Sequence, residues 1–546
     1  MIGEGKGAYG LEPRIKAENF MRGAFFITAG GLISRMLGVL FRPVGQAFLG
    51  DQGLGLVNAP NYAYQIMLAI AATGLNVAIS RLVSERLAVE DYLGARHVFR
   101  VATKTLLISG AVFSLLFGLS AHWLAASQKV PEAWIGFVVL SPAIFLVTLE
   151  CAFRGLYQGM QQMMPSAVSQ VVEQVGRVGV GLVLVAVFSR VALNYGAAGL
   201  NGGNTAGVLL GAFYGGWIYF RDRPTVGWTT TAPGVESLEN ASTWSLLTRI
   251  FSIAMPLSLV GAVMPVMGFI DSSIVTDKLE ALGLTHAMAL EAQSYLANAG
   301  QLRDLPPILT TALYVSLVPA VTEALARGRT DQARYRAAIA FRLTFLIGIP
   351  ATVGLLVGAK DAYEVMYKGT GYTVMAALAW STLSLMVQQT SSGVLQGMGL
   401  IWISVRNILL GVLVKTVLTF WWAGLPGVEA RGAAYATVVG FGLTALLNLW
   451  SLHRTLGLGI QLKQDIGLPT LASLAMGLGI WLVSPVSHHF IHWDRLAGLT
   501  TILTGALIYL VVIFVVGGVR EADLHLIPGV TMGMIAGLRR RRLLRD

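Results

Sequence analysis

Residues 134–160 read WIGFVVLSPAIFLVTLECAFRGLYQGM, and two features of this stretch decide the fold. Trp134 to Phe153 holds a single charge, Glu150. That run is long enough to cross a bilayer, for which about 20 apolar residues suffice. The glycine-rich motif that follows, Phe153 to Met160, returns in altered form much later in the chain. Apolar runs of the same kind recur from end to end. The 546 residues are 55% apolar and only 12% charged, with a mean hydropathy of +0.67. A soluble domain carries about 25% charged residues, so this chain cannot cover a water-facing surface. The alternating strand pattern of a barrel is missing, and a spanning segment must otherwise satisfy its backbone as a helix. The expected fold is an all-α polytopic membrane protein.

About fourteen transmembrane helices are expected. The first six runs are 20–48, 58–78, 101–123, 134–153, 165–188 and 197–220. After a polar stretch come 246–275, 298–320, 337–358, 374–394, 401–420 and 432–452, and then 468–486 and 496–516. The implied organisation is a tail at 1–19, a six-helix bundle at 20–220 and a linker at 221–245. A second bundle at 246–453, an appended helix pair at 454–517 and a basic tail at 518–546 follow.

Lysines and arginines give the orientation. Arg81, Arg86, Arg96 and Arg100 fall on one side, as do Arg327, Arg329, Arg334 and Arg336. So do Arg539, Arg540, Arg541, Arg542 and Arg545 of the tail. This roughly threefold bias marks the cytoplasmic side, and both termini are expected there. The opening residues are too polar for a cleavable signal peptide. The net charge of +11 then reads as a topology signal and an attraction to anionic membrane lipid, with no nucleic-acid partner. The lone cysteine, Cys151, permits no internal disulfide and no cysteine metal cluster.

The halves repeat. Gly155, Gln158-Gly159-Met160 and Arg177 return 238 positions later as Gly393, Gln396-Gly397-Met398 and Lys415. Ala95-Arg96 and Gly110 return at the same offset as Ala333-Arg334 and Gly348. Six helices per copy, an even number, keep the two copies in the same orientation. Two bundles related by such a parallel repeat, facing a central cavity, form a transporter architecture. The thirteenth and fourteenth segments lie outside the repeat.

Charges left inside the membrane cost roughly 2.5–3.5 kcal/mol each on insertion scales, so each needs a cavity, a partner or an interface. Arg35 and Arg42 are seven apart on the first segment and share a face. They suit a pyrophosphate, which arginine forks bind well. Alternatively, Arg42 snorkels to the outer interface and Arg35 pairs with a distant acid. Glu150 with Arg154, and Glu173 with Arg177, have the spacing of self-neutralising helical pairs. Arg177 facing a substrate is the other reading.

Lys415 corresponds to Arg177, but Gly411 stands where Glu173 would, which leaves Lys415 an uncompensated cation with Arg406 earlier on its segment. The substrate-binding candidates are therefore Arg35, Arg42, Lys415, Arg406 and Arg177. Asp271, ending the apolar part of the seventh segment, could hold a cation or proton or pair with an arginine of the first. Asp304 beside Arg303 reads as a rim pair. His488, His489 and His492 fall in a loop with no third zinc ligand, so no metal site is expected.

These residues resemble the polysaccharide-biosynthesis and stage V sporulation protein B branch of the MOP exporter superfamily, which includes MurJ-like lipid II flippases. The carrying segments are Ser34-Arg35-x-x-Gly38, Ala78-Ile79-Ser80-Arg81-Leu82-Val83-Ser84-Glu85, and Phe153 to Met160 through Gln170, Glu173-Gln174 and Arg177. In the second half they are Leu305-Pro306, Ser316 to Ala320 and Leu395-Gln396-Gly397. The resemblance covers nearly the whole chain. It implies a multi-pass protein of the bacterial inner membrane exporting an undecaprenyl-pyrophosphate-linked oligosaccharide through a cationic cavity, by alternating access. It implies a monomer that works beside cell-wall synthesis enzymes, with no cofactor beyond a coupling cation (Na+ or H+) or the membrane potential. The family's helix-1 arginines carry over to Arg35 and Arg42. Its cation site would fall on Asp271 and Asn407, with Glu173 a further acid, although Gly411 removes one carboxylate.

Two other functions compete. A cation-coupled drug exporter of the same superfamily sits badly with cavity arginines, which repel organic cations. A membrane-embedded glycosyltransferase or polymerase needs a large acidic loop, and the sequence has none.

Overall fold

The computed structural model describes residues 13–222, 237–238, 242–459 and 461–520. Most of the linker and the arginine cluster at Arg539, Arg540, Arg541, Arg542 and Arg545 fall outside the described residues. Among the described residues every regular element is helical.

The chain divides into two compact units, Met1–Val266 and Met267–Asp546. The first contains α1 (Pro13–Leu68), α2 (Gly74–Ala88), α3 (Tyr92–Leu119), the short α4 (Ala121–Ser127) and α5 (Trp134–Gly159). It continues through α6 (Met163–Phe188), α7 (Leu193–Asp222) and the opening half of α8 (Thr243–Ala281). The division falls within α8 rather than in the linker at 221–245, because Leu246, Ile250 and Ala254 belong to a core with Ile79, Val98 and Leu156.

The second unit takes the remainder of α8, then α9 (His286–Arg303), α10 (Pro307–Ala326), α11 (Thr330–Val357), α12 (Ala359–Met366) and α13 (Tyr372–Ala379). It ends with α14 (Ser381–Gly397), α15 (Ile401–Trp422), α16 (Ala430–Leu456), α17 (Leu468–Phe490) and α18 (Asp494–Val515). The appended pair α17–α18 packs on α11 and α12. The Tyr509 hydroxyl donates to the Leu346 carbonyl at 2.6 Å, and His488 Nε2 meets Asp361 Oδ1 at 2.9 Å.

All fourteen apolar runs lie on helix, and among the described residues nine helices are each long and apolar enough to cross a membrane. Leu116, Trp123, Phe213, Leu474, Trp481 and Leu507 are more than half exposed, as lipid-facing side chains are. Several runs differ in detail from their sequence reading. The runs 20–48 and 58–78 lie on two helices that meet at a kink at Gly50, whose φ of 64° glycine adopts without Cβ strain, and the second passes through a π-helical turn at Ala69–Thr73 into α2. The run 298–320 is split between α9 and α10, because Pro306 and Pro307 lack the donors that would continue the helix. The helical α17 extends through His488 and His489, so these are not loop residues.

The repeat is visible in the packing. A Cβ on Gly159 would lie 2.8 Å from both the Ser80 carbonyl and Val83 Cβ; on Gly397 it would lie 2.9 Å from the Val318 carbonyl and 3.1 Å from Val321 Cβ. Each residue of the second set is 238 positions beyond its counterpart in the first. The recurring Gln-Gly-Met motif is therefore a close helix crossing, where only glycine lets the backbones meet.

Candidate functional site

In the first unit, the two ion pairs read from the sequence are both present, and they are fused. Arg154 Nη2 donates to Glu150 Oε1 at 2.6 Å and reaches across to Glu173 Oε2 at 2.9 Å. Arg177 Nη2 takes the other oxygen, Glu173 Oε1, at 2.7 Å. Ser169 donates to Glu150 Oε1 at 2.9 Å. The result is an alternating chain, Glu150–Arg154–Glu173–Arg177, that staples α5 to α6. It is well buried, with the Glu150 side chain only 2% exposed. Gly211 of α7 leaves the space for it, since any Cβ there would collide with Glu150 Oε1.

The Arg42 face of α1 adjoins α6. A Cβ on Gly38, one turn before Arg42, would come within 3.0 Å of Gln174 Nε2, so this part of α1 lies against α6. Arg42 Nη2 donates to Asn58 Oδ1 at 2.7 Å. Around these groups several buried polar atoms find no hydrogen-bond partner: Asn58 Nδ2, the Tyr64 hydroxyl, Gln174 Nε2 and Arg177 Nε. An interior that keeps unsatisfied donors at membrane depth is suited to a polar visitor. The Arg35 side chain lies outside the described residues, although its backbone belongs to α1.

In the second unit the expectation for Lys415 is overturned. It is not an uncompensated cation, because Nζ meets Asp271 Oδ1 at 2.5 Å and the Met267 carbonyl at 3.4 Å. The lysine is 1% exposed. Burial this deep requires a counter-charge, and with Gly411 in place of Glu173 the nearest supply is the neighbouring α8. Asp271 accordingly pairs with Lys415. Asn407 sits two turns before Lys415 on α15, and its amide is taken up by Asn448 (2.9 Å) and by Arg406 (3.2 Å). Asp271 and Asn407 thus belong to separate polar contacts. Arg303 pairs with Asp304 at 2.6 Å, and its guanidinium lies 5.4 Å from the Phe441 ring. Among the described residues no cluster of histidine, cysteine and carboxylate could hold a metal.

Asn58, Ser169 and Asn448 were not singled out from the sequence, and Gln174 entered only as part of a motif. Their signal was present: an uncharged polar side chain in an otherwise apolar run is costly unless bonded. It is weaker than the signal of a charge and is easily passed over.

The comparisons with known proteins agree with one another. A family model described as polysaccharide biosynthesis protein matches residues 20–325. Stage V sporulation protein B of Bacillus subtilis (strain 168) is 27% identical over 519 residues, covering 94% of this chain and 98% of that protein. Lipid II flippase MurJ of the same organism is 26% identical over 499 residues, covering 88% and 91%. Among solved structures, lipid II flippase MurJ in an inward closed conformation superposes with a TM-score of 0.65 at 15% identity, covering 90% of this chain and 98% of that one. An inward-facing multidrug resistance MATE transporter of the MOP superfamily also gives 0.65, at 16% identity, covering 77% and 94%. These likenesses show a shared all-α membrane fold. With more than half of its length matched by the family model, the chain belongs to the polysaccharide biosynthesis protein family.

Proposed function

We propose that this protein is a flippase that carries an undecaprenyl-pyrophosphate-linked cell-wall precursor across the bacterial membrane by alternating access. The observation that carries the reading is the near full-length similarity to stage V sporulation protein B and to lipid II flippase MurJ. The arginines of α1 support it. A pyrophosphate brings about two negative charges into a low-dielectric space, where fixed cations must meet them. Arg35 and Arg42 are proposed to meet them, with the unsatisfied donors of Asn58, Gln174 and Arg177 close by. The multidrug alternative has the same fold, but the arginines of α1 suit an anionic cargo better than an organic cation.

The driving force we propose is the membrane potential. Asp271, the acid expected to hold a coupling cation, already carries the ammonium of Lys415. An anionic headgroup leaving an inside-negative cell moves down the potential, which supplies about 2.3 kcal/mol per charge per 100 mV. Depletion of the protein, followed by extraction of lipid-linked intermediates, tests the reading. Accumulation of one undecaprenyl-pyrophosphate glycan on the cytoplasmic face is expected; an unchanged lipid-linked pool would remove its basis.

A further inference from the structure

The first unit holds a cavity of about 250 Å³ between α2, α3 and the first turns of α8, beside a π-helical turn at Ala69–Thr73. Leu75 and Ile79 of α2, Leu106 and Phe113 of α3, and Leu247 and Ile250 of α8 form its walls. On α3 the lining positions 102, 105, 106, 109 and 113 make one helical stripe. Two lining residues are polar, and both hydroxyls donate to carbonyls of their own helix. Thr105 donates to the Val101 carbonyl at 2.9 Å and Ser109 to the Leu106 carbonyl at 3.3 Å. With both hydroxyl protons already given to the helix, water would find few of the two to four partners it needs there.

Ile70 and Phe251, both about half exposed, stand at the mouth; Ile108, Val112 and Met255 are exposed nearby, with Lys104 one turn before Ile108 and Arg249, paired to Glu85, two residues before Phe251. Toward the Tyr92 end of α3, Leu82, Ala95 and Val98 are almost inaccessible and belong to the same packed core as the lining residues Ile79 and Leu106.

We propose that this cavity seats a polyisoprenyl chain, the hydrocarbon tail of the lipid-linked cargo; the assignment of the occupant rests on the flippase reading. An apolar cavity of about 150 Å³ stays dry and takes a six-carbon ring, so this one has room for an isoprene unit and part of the next. Left empty, a void of this size costs stability in proportion to its volume. Lipid tails are as apolar as the wall, so the gain on filling it is dispersion contact, which holds the tail in place more than it raises affinity.

The occupant follows from the position. Ile70 is twelve residues beyond Asn58, the partner of Arg42, which is about 18 Å along a helix. A headgroup at Arg42 would therefore lay the first few units of its own tail at the mouth. A phospholipid chain descending from the Tyr92 end meets that packed core instead.

The test uses the full chain in phosphatidylglycerol-containing nanodiscs, with a diazirine-tailed polyisoprenyl phosphate as probe and a diazirine-tailed phosphatidylglycerol beside it. The polyisoprenyl probe should label peptides containing Leu106 to Phe113 and Leu247 to Phe251, and undecaprenyl phosphate should compete where phosphatidylglycerol does not. Ser109→Phe, which fills the cavity, should cut that labelling severalfold, and Ser109→Ala should preserve it. Scattered labelling without competition, or equal labelling of these peptides by the phosphatidylglycerol probe, would overturn the assignment. Mapping on the unaltered protein decides the matter even if Ser109→Phe fails to fold. The probe carries no sugar and no pyrophosphate. Competed labelling in a protein that flips nothing would keep the tail site and sink the flippase reading, and flipping without such labelling would do the reverse.

Discussion

Arg177 and Lys415 hold the same place in the two copies of the repeat. Gly207 of α7 faces the first so closely that a Cβ would lie 2.9 Å from Arg177 Cβ; Gly440 of α16 faces the second, at 2.8 Å from Lys415 Cβ. What differs is the counter-charge. Arg177 finds Glu173 one turn back on its own helix, whereas Lys415 finds Asp271 on another. The divergence extends one helix further. The Glu150–Arg154 pair of the first copy corresponds to Gln388 and Ser392 in the second, joined by a neutral bond of 3.2 Å.

Removal of one member of the buried Lys415–Asp271 pair strands the other. Lys415→Met should lower stability by about 3–5 kcal/mol, and the double change with Asp271→Asn should regain most of it. Thermal unfolding of the purified variants in detergent measures both. Additive losses would mean the two side chains are not coupled.

Glu173 serves two arginines, so its loss should exceed that of Arg177. Glu173→Gln is expected to destabilise more than Arg177→Gln, and combining the two should recover only part of the loss, because Arg154 remains short of a partner. Full recovery in the double variant would show that Glu173 acts only on Arg177. The same unfolding assay decides.

The glycine crossings should respond alike. Gly159→Ala and Gly397→Ala push a methyl against a carbonyl and a β-branched side chain in each copy, and each should cost about 1–3 kcal/mol. A neutral Gly397→Ala would show that the second crossing opens more readily than the first.

Much of this was legible in the sequence, for identifiable reasons. Helices, spans and the 238-residue repeat follow from apolar run length and from identities such as Gln158-Gly159-Met160 against Gln396-Gly397-Met398. Pairs at i and i+4 were legible because helix geometry fixes them. Contacts between helices were not: nothing local links Asp271 to Lys415, 144 positions away, or Arg154 to Glu173 across a turn. The split of the run 298–320 was signalled by Pro306 and Pro307 but masked by the apolar residues on both sides.

Topology is open to direct test. On a Cys151→Ala background, an impermeant maleimide should reach Lys129→Cys and Asp494→Cys in intact cells, and Arg86→Cys and Arg329→Cys only after permeabilisation. Labelling of position 329 from outside would invert the orientation of the second copy.

The central claim is that the chain moves a lipid-linked anion across a bilayer by meeting its charge with the arginines of α1. Reconstitution into vesicles bearing a fluorescent undecaprenyl-pyrophosphate disaccharide, with dithionite to report the exposed leaflet under an imposed potential, measures that movement directly. The expected result is transfer well above protein-free vesicles for the unaltered chain, little for Arg35→Gln at equal incorporation, and a part retained by Arg35→Lys, which keeps the charge but not the fork. Transfer by Arg35→Gln at the unaltered rate, or no transfer by the unaltered protein, would contradict it.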